Sequence, residues 1–169
     1  SSKIGRFDQS FVVRMILDFF LLLILLTAIE LGFRFLVALY EFETRDKDAA
    51  SLTATQLASD LKSIMLNSGG PVAARTIYPI LKRNYEELGL SIAIVPAEVT
   101  VTSMKAAFNL EAKGNPPQWA PGKHNESTIA LTAEQFCLNC HIQAKVGDVL
   151  GHVTVRNYLS AKLTAWWAD

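Results

Sequence analysis

Cysteine is scarce in this chain of 169 residues: there are two, Cys137 and Cys140. Both fall in one short motif, so no disulfide framework holds the fold. A structural zinc site would want four ligands, usually from a second Cys pair, and the chain has no other cysteine. An excess of charge of one sign is missing too. The 16 basic and 16 acidic residues balance, which leaves no basic footprint for nucleic acid. No internal repeat divides the chain. No small-x-small cleavage site closely follows the apolar stretch near the N-terminus.

What is present begins with Cys137-Leu138-Asn139-Cys140-His141. This CxxCH run is the attachment signature of a c-type haem. Two thiols two residues apart each add to a haem vinyl group, and the adjoining imidazole is placed beneath the iron. A thioredoxin-like redox pair would want a βαβ setting, whereas this motif lies late in a polar, loop-rich region. The expected cofactor is one covalent haem c, with Cys137 and Cys140 as attachment points and His141 as the proximal iron ligand. In bacteria covalent haem attachment occurs outside the inner membrane, so this part of the chain is expected to be exported.

Residues 11–40 supply an anchor. Residues 19–29 carry no charge, and the stretch is long enough to span about 30 Å of hydrocarbon. Arg14 and Asp18, like Glu30 and Arg34, are four apart and share a helix face, where each couple can pair near an end of the span. Charges there also mark contacts with partner helices in a larger membrane complex. Ala38 is followed by Leu39, Tyr40 and Glu41, which fits signal cleavage poorly. The reading is an uncleaved anchor, with Lys3 and Arg6 favouring an inside N-terminus. The expected division is a cytoplasmic segment 1–10, a transmembrane anchor 11–40 and a periplasmic haem domain 41–169 in the bacterial inner membrane.

Beyond the anchor, residues 50–66 show apolar positions at three- and four-residue spacing, stopped by Asn67-Ser68-Gly69-Gly70-Pro71. A second helix is predicted over 72–88, with Pro79 as a break or kink and Gly89 as its cap. Short strands follow at 90–95, 99–102 and 127–131, with a polar loop over 108–125. Thr132 reads as a helix cap leading into the motif, and 149–155 as a final strand after Gly147-Asp148. Residues 157–169 predict a helix bearing Trp166 and Trp167, suited to a membrane interface or to core packing. Helices first and a small antiparallel sheet later make an α+β domain.

This arrangement resembles the membrane-tethered, PAS-like domains that carry a single haem c in bacterial chemoreceptors, sensor kinases and cyclases, some relatives being stand-alone haem proteins. The residues that carry the resemblance are the late CxxCH, the run Gly147-Asp148-Val149-Leu150-Gly151-His152-Val153-Thr154-Val155, and the preceding Asn115-Pro116 and Trp119. It implies a PAS-like fold and a redox or gas (NO/CO) sensing role.

The far side of the iron decides between electron transfer and gas binding. Met104 and His152 are the leading candidates, with Met65 and His124 as others and an open or water-filled position as an equal alternative. Phe136, Leu138, Ile142 and Val146 are expected to line the pocket, and Trp119 and Phe108 to lie against the macrocycle. The functional expectation is a mono-haem cytochrome transferring one electron at the membrane, with a redox partner protein, a membrane complex or a second copy of itself as candidate partners. Its alternative is a haem-based sensor input. Nothing in the sequence specifies the acid–base groups an enzyme would need.

Overall fold

The computed structural model describes residues 2–67, 70–112 and 119–168. Asn115 and Pro116 lie outside the described residues. The fold is α+β, and the chain divides into two compact units, residues 1–40 and 41–169.

The first unit is helical. It belongs to α1 (Ser2–Glu43), whose 42 residues extend about 63 Å at 1.5 Å per residue. Phe19, Leu21, Ile24, Ile29 and Phe33 are all exposed. A helix with apolar side chains open on every face has no core of its own to bury them, and this one is long and apolar enough to cross a membrane. Arg34 donates to Glu30 at 2.8 Å, which closes one of the i,i+4 couples.

In the second unit, α2 (Arg45–Asn67) follows α1 after Thr44. The order then runs α3 (Pro71–Glu87), β1 (Leu90–Pro96), α4 (Glu98–Phe108), β2 (His124–Thr132), a 3-10 helix over Gln135–Asn139, β3 (Val149–Tyr158) and α5 (Leu159–Ala168). The three strands form one antiparallel sheet in the order β1-β3-β2. Alternation decides its faces. Ile92 pairs with Val155 and Ile94 with Val153, which in turn faces Ile129. Against this face α2 lays Ala54, Leu57, Ala58 and Leu61, spaced three and four apart, and Leu57, Val153 and Val155 are fully buried.

The base of the domain is polar. Lys162 of α5 pairs with Asp46 at 2.9 Å and Glu41 at 3.4 Å. Asn125 of β2 donates to the Phe42 carbonyl at 2.6 Å, and Asn157 of β3 to the Asp46 carbonyl at 2.7 Å. These bonds tie the end of α1 and the start of α2 to the sheet and the last helix.

Three local expectations are corrected. Residues 99–102 are not a strand but part of α4. Its inward positions Thr100, Ser103 and Met104 follow helical spacing, and two of them are polar, so no apolar periodicity advertised the helix. Of the break or kink expected at Pro79, the break does not occur, since α3 continues through it. Thr132 is the last residue of β2, not a helix cap; Glu134 occupies that place before the 3-10 helix. On α5, Trp167 is exposed and meets Trp166 edge-on at 5.1 Å.

Gly151 is required where β3 passes β1. A Cβ there would stand 2.8 Å from the Val95 carbonyl oxygen and 3.4 Å from the Pro96 Cα. Both obstacles are backbone. Gly151→Ala is expected to destabilise the domain by about 1–3 kcal/mol, the usual cost of forcing extra volume into a packed site. Urea unfolding of the detergent-solubilised chain measures it, and an unchanged midpoint would contradict this account of the strand crossing.

Candidate haem site

The CxxCH motif lies on the 3-10 helix and the turn that follows. One acceptor shapes it. The Cys137 carbonyl takes the N–H of Cys140 at 3.2 Å and of His141 at 2.9 Å. That folds five residues into about one tight turn and turns both thiols and the imidazole toward one cavity. The loop is closed at its foot, where Ala133 N–H donates to the Asp148 carbonyl at 2.8 Å and Gly147 N–H to the Ala133 carbonyl at 2.9 Å. Gly147 has φ +92, a conformation that favours glycine. Leu138 packs beneath the loop with Ala133, Ala144 and Leu150.

Helix α4 forms the facing wall, and hydrogen bonds hold it there. Thr100 Oγ1 donates to the Leu150 carbonyl at 2.5 Å. The fully buried Ser103 accepts from the Gln143 N–H at 3.1 Å, two residues past His141. Asn109 ends the helix in the left-handed region at φ 52, which asparagine tolerates better than most residues. Leu110 and Ala112 then continue along the cavity.

The cavity has a volume of about 830 Å³, within the roughly 300–1,000 Å³ of small-molecule and cofactor pockets. Phe136, Cys137, Cys140 and His141 line it from the motif. Ile94 and Pro96 come from β1, Tyr78 and Pro79 from α3, and Met104 from α4.

His141 supplies the test of fit. The residue is 6 % exposed, and its Nδ1 is sealed from solvent with no hydrogen-bond partner among the described residues. Burial pushes its pKa down, so the ring is held neutral, the form that binds a metal. A neutral buried imidazole beside two half-buried free thiols, all on one cofactor-sized cavity, fits a covalent haem. The arrangement is an attachment site for a single haem c. Together with α1 it makes this a haem-binding, membrane-associated protein. Comparison with protein-family models, with curated proteins and with solved structures finds no match to the chain.

The other expected site residues divide. Met104 is 5 % exposed and shares the cavity with His141, as does the more exposed Met65. His152 does not line it. Ile94, Pro96 and Val153 lie on the cavity and α2 face, and strand alternation turns His152, opposite Val95 and Ala130, to the other face. There it is exposed. The period of Val153 and Val155 carried that signal already. His124 sits in β2, its Nδ1 3.0 Å from the Gly122 carbonyl oxygen and its ring tilted 5.4 Å from Tyr158. Leu138 supports the loop from below rather than lining the cavity, Ile142 and Val146 are exposed, and Trp119 stacks on the Arg156 guanidinium at 4.2 Å. Sequence reasoning missed Arg75, Tyr78 and Lys105, which long-range folding brings to the cavity.

Burial of neutral His141 gives a pH signature in the haem-free chain. Its folded pKa lies below its unfolded value, so the two states differ in bound protons only at acid pH. Stability is expected to fall as pH drops below about 6.5, the ordinary His value, because the unfolded chain takes up a proton that the buried ring refuses. His141→Gln is expected to flatten that slope. Urea titrations between pH 7.5 and 5.5 measure it, and equal slopes for the two proteins would count against the buried neutral ring.

Proposed function

We propose that this protein is a membrane-anchored, periplasmic mono-haem c cytochrome that carries one electron and performs no substrate chemistry. The reading rests on one observation above all: the buried thioether of Met104 lies on the same cavity as His141 and the two thiols. Imidazole on one side and thioether on the other is the ligand pair of electron-transferring cytochromes c, in which Met raises the potential.

The residues divide the work. Cys137 and Cys140 attach the group through thioether bonds, and the tight turn leaves their sulfurs little freedom. His141 presents a neutral nitrogen to the iron. Met104, held in place by the Ser103 bond one residue earlier, would offer its thioether to the iron. Ile94, Pro96, Phe136 and Leu110 line the cavity and would exclude water from a haem held there. A haem bound there would supply a one-electron couple.

In this reading α1 spans the inner membrane with its N-terminus in the cytoplasm, as Lys3 and Arg6 favour. The haem domain then lies outside, where haem c is attached. Glu30 and Arg34 suit a contact with a partner helix of a redox complex. Two helices ahead of a small antiparallel sheet, with the motif late in the chain, support membership of the PAS-like haem c domains.

Optical spectra test the proposal. The reduced protein is expected to be six-coordinate and low-spin, with no change on adding CO. Met104→Ala is expected to open the iron to CO and to lower the midpoint potential by about 59 mV or more, a tenfold change in the one-electron equilibrium. A high-spin wild-type haem that binds CO readily would refute electron transfer in favour of gas sensing.

A further inference from the structure

Two cations border the cavity. Arg75 comes from α3 and Lys105 from α4, one residue after Met104. Both are exposed and neither forms an ion pair among the described residues, as is also true of Arg45, Lys47, Arg83 and Lys145; the other described cations of the domain are paired. Lys62 meets Glu134, Lys82 meets Glu86, Lys123 meets Glu43, Arg156 meets Glu126, and Lys162 meets two carboxylates. Glu111 also lines the cavity, so with Arg75 and Lys105 the wall carries one net positive charge, which the anionic edge of a ligand would offset.

The chemistry of haem provides that anion. Its two vinyl groups, which become the thioethers, and its two propionates lie toward opposite edges of the ring. The vinyl edge is fixed at Cys137 and Cys140. The carboxylate edge must then point away from the motif, toward walls built by other elements. Arg75 and Lys105 belong to such walls. Arg presents a planar fork suited to two carboxylate oxygens, and Lys a compact point charge.

We propose that Arg75 and Lys105 are the anchoring pair for the two haem propionates and help set the reduction potential. The inference rests on the haem c reading and deepens it. Charge-assisted bonds at the open edge hold the ring in one orientation after its closed edge has been bonded. Their positive charge also favours the reduced, more negative haem. Lys105 has a second effect, because a carboxylate bound to it steadies the turn of α4 that carries Met104.

The test compares holoprotein variants by spectroelectrochemistry. Arg75→Gln and Lys105→Gln are each expected to lower the midpoint potential, and the double variant to lower it further, by about tenfold in the reduction equilibrium, which is 59 mV for one electron. Arg75→Lys and Lys105→Arg are expected to keep most of the wild-type value. Lys145→Gln removes a charge close to the motif but away from the cavity lining, and is expected to change little. If a Gln variant fails to retain haem, recovery of haem in the matching charge-conserving variant supports the proposal, and failure to recover overturns it. A double variant with the wild-type potential overturns it, as does a drop no larger than that of Lys145→Gln. So do variants that keep the potential but exchange electrons more slowly with a redox partner, since the cations then serve docking. Absence of covalent haem from the wild-type protein, read by pyridine haemochrome, would instead defeat the haem reading itself.

Discussion

The Cys137 carbonyl accepts two backbone N–H groups, from Cys140 and His141, and the rest of the site depends on that. A covalent haem must be met by two sulfurs and one nitrogen from five consecutive residues. An extended chain would send neighbouring side chains to opposite sides. The shared acceptor winds the segment tightly enough to bring all three to one cavity. Everything around the loop maintains this: the closure between Ala133, Gly147 and Asp148, and the apolar floor of Ala133, Leu138, Ala144 and Leu150.

The opposite wall is bound to the motif by polar contacts. Ser103 and Thr100 are buried on α4, and each spends its hydroxyl on a backbone group from the motif side of the domain. A buried hydroxyl without a partner would be destabilising, so these bonds fix both the rotation and the distance of α4. Met104 inherits that placement. The two walls of the cavity are thus set by backbone hydrogen bonds, while α2 and the sheet stabilise the domain through apolar burial elsewhere.

This division explains what could be read from the residues. Helix α2 follows a period of 3.6 and the end of β3 a period of 2, because hydrophobic burial orders them, while α1 was legible as a long apolar run. The attachment site was legible because its covalent chemistry forces a contiguous spacing. Helix α4 was not, since its buried face is Thr100, Ser103 and Met104, and its run of Val and Thr imitates a strand. Tyr78, Arg75 and Lys105 were invisible for another reason. They reach the cavity only through packing between distant segments, and local sequence carries no record of it. His152 was offered as an iron ligand on proximity in sequence, although the alternation of β3 places it on the other face.

In the proposed electron-transfer role, the polar base would have a consequence for electron flow. Asn157, bonded to Asp46, and Gly151, opposite cavity-lining Pro96, stand at opposite ends of β3. Six residues at about 3.4 Å each separate them by about 20 Å. Tunnelling rates fall exponentially with distance, so a donor or acceptor at the foot of the domain would exchange electrons with the haem slowly. Fast exchange requires a partner that approaches the cavity end. In that role the strand would be a spacer, setting the haem apart from the point where the chain enters the domain.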